Sequence, residues 1–270
     1  MKKFYIITNL LKDKTLETTY RIKNYIEEHG GECILATPER ILPEGVECVL
    51  VLGGDGTLIR AARDMHAYDV PLLGINMGTL GYLTEVELSH VEEALDQLLE
   101  GETQVEKRMM LVGTINDQIE ALAFNDIVIT RLGALRVIHF KLYVNGELLN
   151  TYHADGMIIS TPTGSTAYNL SAGGPIVEPT ASIVVLTPIC SHALNTSSIV
   201  LSADDEIMIE VMPDREGHVQ TVGLSFDGER NMELQTGDRV VIRKSKDETE
   251  LLKLSKVSFL EIMRQKMKGN

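Results

Sequence analysis

The sequence predicts an α/β N-terminal domain, a parallel sheet with flanking helices, followed by a β-rich C-terminal domain. Three observations carry this expectation. Short apolar strands alternate with helical patterns over the first hundred residues, with short links between them, as in parallel sheets covered on both faces. Helical periodicity then nearly vanishes after Lys107. Beyond that point Asn145-Gly146 and Asp227-Gly228 supply two-residue hairpin turns between β-type runs.

Taken in order, Phe4 to Thr8 reads as a first strand and Leu16 to His29 as a helix, which Gly30-Gly31 ends where a left-handed cap is wanted. Cys33 to Ala36 and Cys48 to Leu52 are short apolar strands. A helix is expected from Thr57 to about Tyr68, and Pro71 leads into a buried strand from Leu72 to Ile75. Ser89-His90-Val91-Glu92 has the spacing of a capping box, opening a helix that Gly101 closes. The later β-runs are 118–123, 127–130, 137–144, 148–153, 183–187, 207–211, 219–226 and 239–243. The expected domains are therefore 1–107 and 108–256. Residues 258–268 have helical spacing, and the tail 257–270 is expected to pack back on the first domain.

Composition narrows the function. The chain has 270 residues, enough for one large or two smaller domains with a proper core. A formal net charge of −14 argues against nucleic-acid or acidic-membrane partners, because an acidic surface gains nothing from displacing their counterions. With no apolar run near 18 residues and no signal-peptide pattern, the chain reads as cytoplasmic. Cys33, Cys48 and Cys190 have neither disulfide nor zinc spacing, and His139, His153 and His192 lack metal-ligand spacing. No resident metal site is expected.

Three segments carry chemistry. The first is Gly53-Gly54-Asp55-Gly56-Thr57, directly behind the strand 48–52. Its glycines let a polyanion approach the backbone, and the helix that follows offers unpaired N–H groups and a positive dipole end. Asp55 has the wrong charge for cradling phosphate and suits acid–base work or hydroxyl binding; as a lone feature it also suits a helix N-cap. The second segment, Asp155 to Asn169, runs from a carboxylate through an apolar strand into a hydroxyl-rich loop entering a short helix. Such a loop fits the hydroxyls, amide edges and diphosphate of a nucleotide, and Tyr168 is placed to stack on adenine. Asp155-Gly156 is also a turn pair. The third segment is Asn125-Asp126, where an amide and a carboxylate suit an amino group and a ribose. Asn76-Met77-Gly78 follows a parallel strand, where ligands bind in such sheets. Asp227 reads equally as turn former and site residue.

Together with Gly74 to Thr84 and the run Thr161 to Pro175, these segments resemble the bacterial-type ATP-dependent NAD kinases from end to end. Lipid kinases and 6-phosphofructokinases share a similar GGDG loop; the TPTGSTAYNLSAGGP block is particular to NAD kinases. The resemblance implies that Asp55 takes the proton from the 2′-hydroxyl of the adenosine ribose of NAD as that oxygen attacks the γ-phosphorus of ATP. It assigns Gly53, Gly54 and Thr57 to ATP phosphates, with Arg63 preferred over Arg60 by the family's Ala-Ala-Arg. NAD contacts are implied at Gly56, Asn125 and Asp126, in an adenine pocket of Thr163, Thr166, Ala167 and Tyr168, and at Asp155 and Ser171 on the nicotinamide side. Tyr82 would close over the ligand. Mg²⁺ or another divalent cation would arrive with ATP, and polyphosphate is an alternative donor. Similar enzymes are homotetramers, with a neighbouring subunit meeting the site near Cys190; a homodimer is the smaller alternative. Two positions depart from the family's usual residues: Asp126 replaces the common Glu, shortening its reach, and Tyr82 replaces Phe, adding a hydroxyl that needs a partner. The competing functions are a lipid or sugar kinase sharing the GGDG loop, which the acidic charge disfavours, and a non-catalytic NAD-binding regulator, which would not need Asp55.

Overall fold

The computed structural model describes residues 1–78, 81–133, 137–191, 197–255 and 257–267. Thr79 and Leu80 of the second glycine-rich segment and His192 lie outside them. The chain divides into two compact units, Met1–Arg108 with Glu248–Asn270, and Met109–Asp247.

The first unit is built on parallel strands β1 (Lys3–Thr8), β2 (Glu32–Leu35), β3 (Cys48–Gly53), β4 (Leu72–Asn76) and the short β5 (Val86–Glu87), ordered β5-β4-β3-β1-β2. Leu251 also pairs in parallel with Leu72. Helices α1 (Glu17–Glu28), α2 (Asp55–Met65) and α3 (Val91–Glu100) cover the sheet. Strand alternation divides the core between its faces. Phe4, Ile6, Leu50 and Leu52 pack in one cluster with Ile22 and Ile26 of α1 and Leu95 and Leu98 of α3. Tyr5, Ile7, Val49 and Val51 point to the opposite face and are equally buried, as are Leu58, Ala61, Ala62 and Met65 of α2. Because β1 leads outward to β2 and the chain then returns to β3 on its other side, the strand order reverses between β1 and β3. The loops leaving their carboxyl ends flank a topological switch point, the usual place for a ligand in an open parallel sheet.

The second unit is antiparallel. Strands β6 (Gln104–Ile115), β7 (Ile119–Ala123), β8 (Asp126–Arg131), β9 (Ile138–Val144), β10 (Glu147–Ala154) and β11 (Gly156–Ser160) precede a short helix α4 (Tyr168–Ser171). Strands β12 (Ile183–Ile189), β13 (Ile199–Ser202), β14 (Ile207–Val211), β15 (Thr221–Phe226), β16 (Arg230–Gln235) and β17 (Arg239–Lys253) follow it; the last described element, α5 (Phe259–Met267), belongs to the first unit. One sheet runs β13-β12-β11-β8-β15-β16, and another contains β10-β9-β14-β17. A single apolar core joins Phe140, Ile209 and Ile242 of the latter to Ile129, Met157 and Phe226 of the former. Both hairpin turns form as the sequence predicts, with Asn145, Gly146, Asp227 and Gly228 all at positive φ.

Two readings of local structure need correction. The capping box at Ser89 does not form: Leu88–His90 is a 3₁₀ turn, α3 starts at Val91, and the Ser89 hydroxyl lies 3.1 Å from His90 Nδ1. Strands β6, β13 and β16 lie outside the expected runs: β16 alternates polar and apolar residues, β6 opens on a largely polar stretch, and β13 is only four residues long.

Candidate active site

At the carboxyl end of β3 the GGDGT segment turns into α2 with Gly54 as its N-cap and Asp55 as its first residue. Two of its three glycines answer to a specific neighbour. A Cβ on Gly53 would lie 2.3 Å from Thr57 Oγ1, so only glycine lets that hydroxyl fold back under the strand end. Gly54 and Gly78 both face the ammonium of Lys12, 3.2 Å from either Cβ position. Asn9, leaving β1, donates from Nδ2 to Thr57 Oγ1 at 3.0 Å, and its backbone N–H reaches Leu52 O at 2.8 Å. Met77 N–H donates to Gly53 O at 2.7 Å, joining the turn after β4 to the same loop.

Asp55 does not stand free at the helix start. Its Oδ2 accepts the N–H of Tyr82 at 2.7 Å, and its Oδ1 accepts those of Leu83 and Thr84 at 3.2 Å each. Gly81 makes this approach possible, since a Cβ there would fall 2.0 Å from Oδ1. A carboxylate has about four lone-pair directions, so three N–H donors leave one open, on Oδ2. The loop is fixed on its far side by Glu85, whose carboxylate pairs with Lys253 and accepts the N–H groups of Leu254 and Ser255. A cavity of about 430 Å³ adjoins it, lined in part by Gly81, Thr84, Glu85, His90 and Ile262. Lys266 of α5 lies 5.3 Å from the Tyr82 ring centroid, a cation over an aromatic face.

In the second unit, Asp227 organises the Asn125-Asp126 turn. Its carboxylate accepts the N–H groups of Phe124, Asn125 and Asp126 at 2.9, 2.7 and 3.1 Å. Asp126 is itself buried, and desolvation, then the neighbouring Asp227 charge, push its pKa up to about 7. Asn125 Oδ1 is buried without a partner among the described residues. The hydroxyl-rich loop packs directly on this turn: Thr161 N–H donates to Asn125 O at 2.8 Å, and a Cβ on Gly164 would lie 2.2 Å from that oxygen. Thr163 to Thr166 form a 3₁₀ turn, and Asn169 pins it from behind. The fully buried Asn169 amide donates to Ser165 O and Pro175 O and accepts from Thr187 Oγ1.

The comparisons with known proteins divide along the same two halves. A family model described as the ATP-NAD kinase N-terminal domain matches residues 12–103, and one described as the ATP-NAD kinase C-terminal domain matches residues 124–254. The chain belongs to the NAD kinase family. It is 46% identical over 293 residues to the NAD kinase of Lachnospira eligens, covering 99% of this chain and 100% of that one. It is also 46% identical over 282 residues to the NAD kinase of Agathobacter rectalis, covering 100% and 99%. Among solved structures, yeast NADH kinase complexed with NADH aligns with a TM-score of 0.87 at 23% identity, covering 100% of this chain and 88% of that one. An NAD kinase from Archaeoglobus fulgidus in complex with ATP gives 0.81 at 24% identity, covering 98% of each. At those identities the likeness is one of fold.

Within this NAD kinase fold, the first unit gathers Gly53, Gly54, Asp55, Thr57 and Tyr82. Gly56 is exposed on the first turn of α2. Arg63 sits in the last turn of α2, about 12 Å along the axis from Asp55 at the helical rise. Arg60 is exposed on the same helix. The second unit gathers Asn125, Asp126, Thr163, Thr166 and Ala167 about the Asp227 carboxylate and the 3₁₀ turn. Tyr168 is 45% exposed, leaving a ring face open, and Ser171 is exposed beside it on α4. Asp155 pairs with Arg131, Nε to Oδ1 at 3.0 Å, a partner the sequence reading did not name. Cys190 is exposed at positive φ just after β12. The residues that sequence reasoning missed are Asn9 and Lys12. Their signal was a polar loop leaving the first strand, but its meaning depends on strand order.

Proposed function

We propose that the chain transfers the γ-phosphoryl group of ATP to the 2′-hydroxyl of the adenosine ribose of NAD, giving NADP, with Asp55 as general base. The observation that carries this reading is the state of the Asp55 carboxylate. Three backbone N–H groups fix its position, and one Oδ2 lone pair remains open. A fixed carboxylate in hydrogen-bond reach of a ribose hydroxyl contributes about 10²–10⁴-fold as a base. As the O–H proton passes to Oδ2, the ribose oxygen bonds to the γ-phosphorus, the bridging P–O bond breaks, and ADP leaves. Phosphoryl transfer asks the protein mainly for alignment and charge stabilisation.

Gly53, Gly54 and Thr57 present the strand end and helix N–H groups to the ATP phosphates, with Arg63 adding charge from farther along α2. Mg²⁺ or another divalent cation carried with ATP would supply charge to offset that of the γ-phosphoryl group. Gly56 and Tyr82 contact NAD beside Asp55. Thr163, Thr166, Ala167 and Tyr168 take the adenine, Asn125 and Asp126 the ribose and amide groups. Asp155 and Ser171 line the nicotinamide side, with Cys190 near a neighbouring subunit in a homotetramer or homodimer. The enzyme works in the cytoplasm without nucleic-acid or membrane partners. Its three free cysteines agree with that, burial having pushed the Cys33 thiol to about 12. Polyphosphate is an alternative donor. A lipid or sugar kinase is disfavoured because NAD kinase models match both halves of the chain.

A donor and acceptor panel tests the reading: ATP, other nucleoside triphosphates and polyphosphate against NAD and NADH, with the phosphate position on the product determined. NADP phosphorylated at the 2′ oxygen is expected. Absence of any phosphorylated dinucleotide under all donors and metals would remove the proposal.

A further inference from the structure

We propose that Lys12 is a phosphate-binding residue, its ammonium set at the switch point of the sheet to take the polyphosphate of the donor nucleotide. The loop that carries it is rigidly built. Asn9 accepts the N–H groups of Lys12 and Asp13 on its carbonyl, at 2.9 and 3.0 Å, and that of Leu11 on Oδ1 at 3.0 Å. Asp13 is buried and caps the following helix, accepting Thr19 N–H at 2.9 Å and Thr19 Oγ1–H at 2.6 Å. Asn9 also holds Thr57 of the GGDGT segment. A loop braced at both ends thus aims one long cation across the carboxyl ends of β1, β3 and β4.

The surroundings of that cation suit an anion. The ammonium lies 3.2 Å from the Cβ positions of both Gly54 and Gly78, so two side-chain-free turns face it. Among the described residues it has no hydrogen bond or ion pair. Asp55, the carboxylate nearest in sequence to these turns, is turned to the Tyr82–Thr84 amides, which take three of its four lone pairs. Gly54 is also the N-cap of α2, whose dipole end is positive. A cation facing a helix N-terminus is repulsive in isolation and favourable when a polyanion lies between them. A second, independent sign is Asn76, buried at the end of β4: its Nδ2 donates to Gly78 O at 2.7 Å, while Oδ1 has no partner among the described residues. That oxygen calls for a donor from the ligand side, which the hydration shell of a divalent cation carried with polyphosphate supplies. The chemistry is therefore a magnesium-bound polyphosphate, with Lys12 as a point-charge donor.

The inference rests on the proposed kinase reaction for the identity of the nucleotide, and its test is chosen to stand apart from turnover. Calorimetry measures binding of Mg·ATP, of magnesium tripolyphosphate and of NAD to the wild type, Lys12→Met, Lys12→Arg and Lys14→Met. Lys12 is exposed, so its loss does not threaten folding, and Lys14 is an exposed lysine of the same loop that controls for net charge. Lys12→Met should weaken both Mg·ATP and tripolyphosphate by about ten- to a hundredfold, as for a lost charged hydrogen bond. NAD affinity should stay within twofold, Lys12→Arg should recover part of the loss, and Lys14→Met should match the wild type. Tripolyphosphate and ATP affinities within twofold of wild type in Lys12→Met would overturn the proposal, as would an equal loss in Lys14→Met or a loss confined to NAD. If the wild type makes no NADP yet tripolyphosphate still binds through Lys12, the reaction falls and this site stands.

Discussion

Gly81→Ala is the sharpest perturbation the structure offers, because it removes no polar group and changes only where they sit. The added Cβ would fall 2.0, 2.2 and 2.3 Å from Oδ1, Cγ and Oδ2 of Asp55. Ordinary contact needs about 3.4 Å, so loop and carboxylate must separate by roughly 1.4 Å, a misplacement of the size that costs about 10²-fold in rate at a reacting group. Three amide-to-carboxylate hydrogen bonds lengthen together, each worth about 1.5–3 kcal/mol and not additive. The loop is only partly buried and borders a cavity, so the strain has somewhere to relax without unfolding the sheet. Steady-state kinetics with ATP and NAD, beside thermal melts, reads this out. A kcat loss near 10²-fold with a small change in Tm is expected. Wild-type kcat in a folded Gly81→Ala protein would show that the Asp55 position is irrelevant to turnover.

Three further outcomes follow. Tyr168→Ala should raise the KM for NAD by about 5- to 150-fold, the range for stacking worth 1–3 kcal/mol, and lower kcat less; the reverse pattern would mean that the ring positions the reacting ribose. Asp126 has a folded pKa near 7 against an unfolded value of 3.8, so the folded state binds its proton more tightly. Stability from this group is full below about pH 4 and lost as pH rises through about 7. Asp126→Asn should therefore flatten the fall in Tm between pH 5 and pH 8, and an unchanged slope would contradict the raised pKa that burial, and then the Asp227 charge, give this carboxyl. Asn169→Ala strips partners from Ser165 O, Pro175 O and Thr187 Oγ1 and should destabilise by about 3 kcal/mol in urea titration; a loss under 1 kcal/mol would show that the amide is dispensable.

The fold was legible where burial dictated composition. Strands such as Cys48–Gly53, buried along their whole length, stand out as apolar runs, and the Gly101 cap and the Asn145-Gly146 and Asp227-Gly228 turns declare their positive φ by residue type. Gln104–Ile115 escaped because its first four residues are largely polar and not buried, and Ser89 misled because a 3₁₀ turn took the place of a capped helix start. Of the site, the motif residues were readable as chemistry, but their local partners were not. That Gly81 exists for Asp55, that Asp227 caps Asn125-Asp126, and that Lys12 faces Gly54 are facts about residues 26, 101 and 42 positions apart respectively. No local pattern encodes them. They depend on strand order and register, which a single sequence leaves open.

The account turns on the Asp55 carboxylate receiving a proton, and Asp55→Asn probes that function while keeping the side chain's shape. Single-turnover rates with Mg·ATP, measured alongside the NAD dissociation constant, give the decisive comparison. The account predicts a rate lower by about 10²–10⁴-fold with NAD affinity within about threefold of wild type. A rate within tenfold of wild type would contradict it.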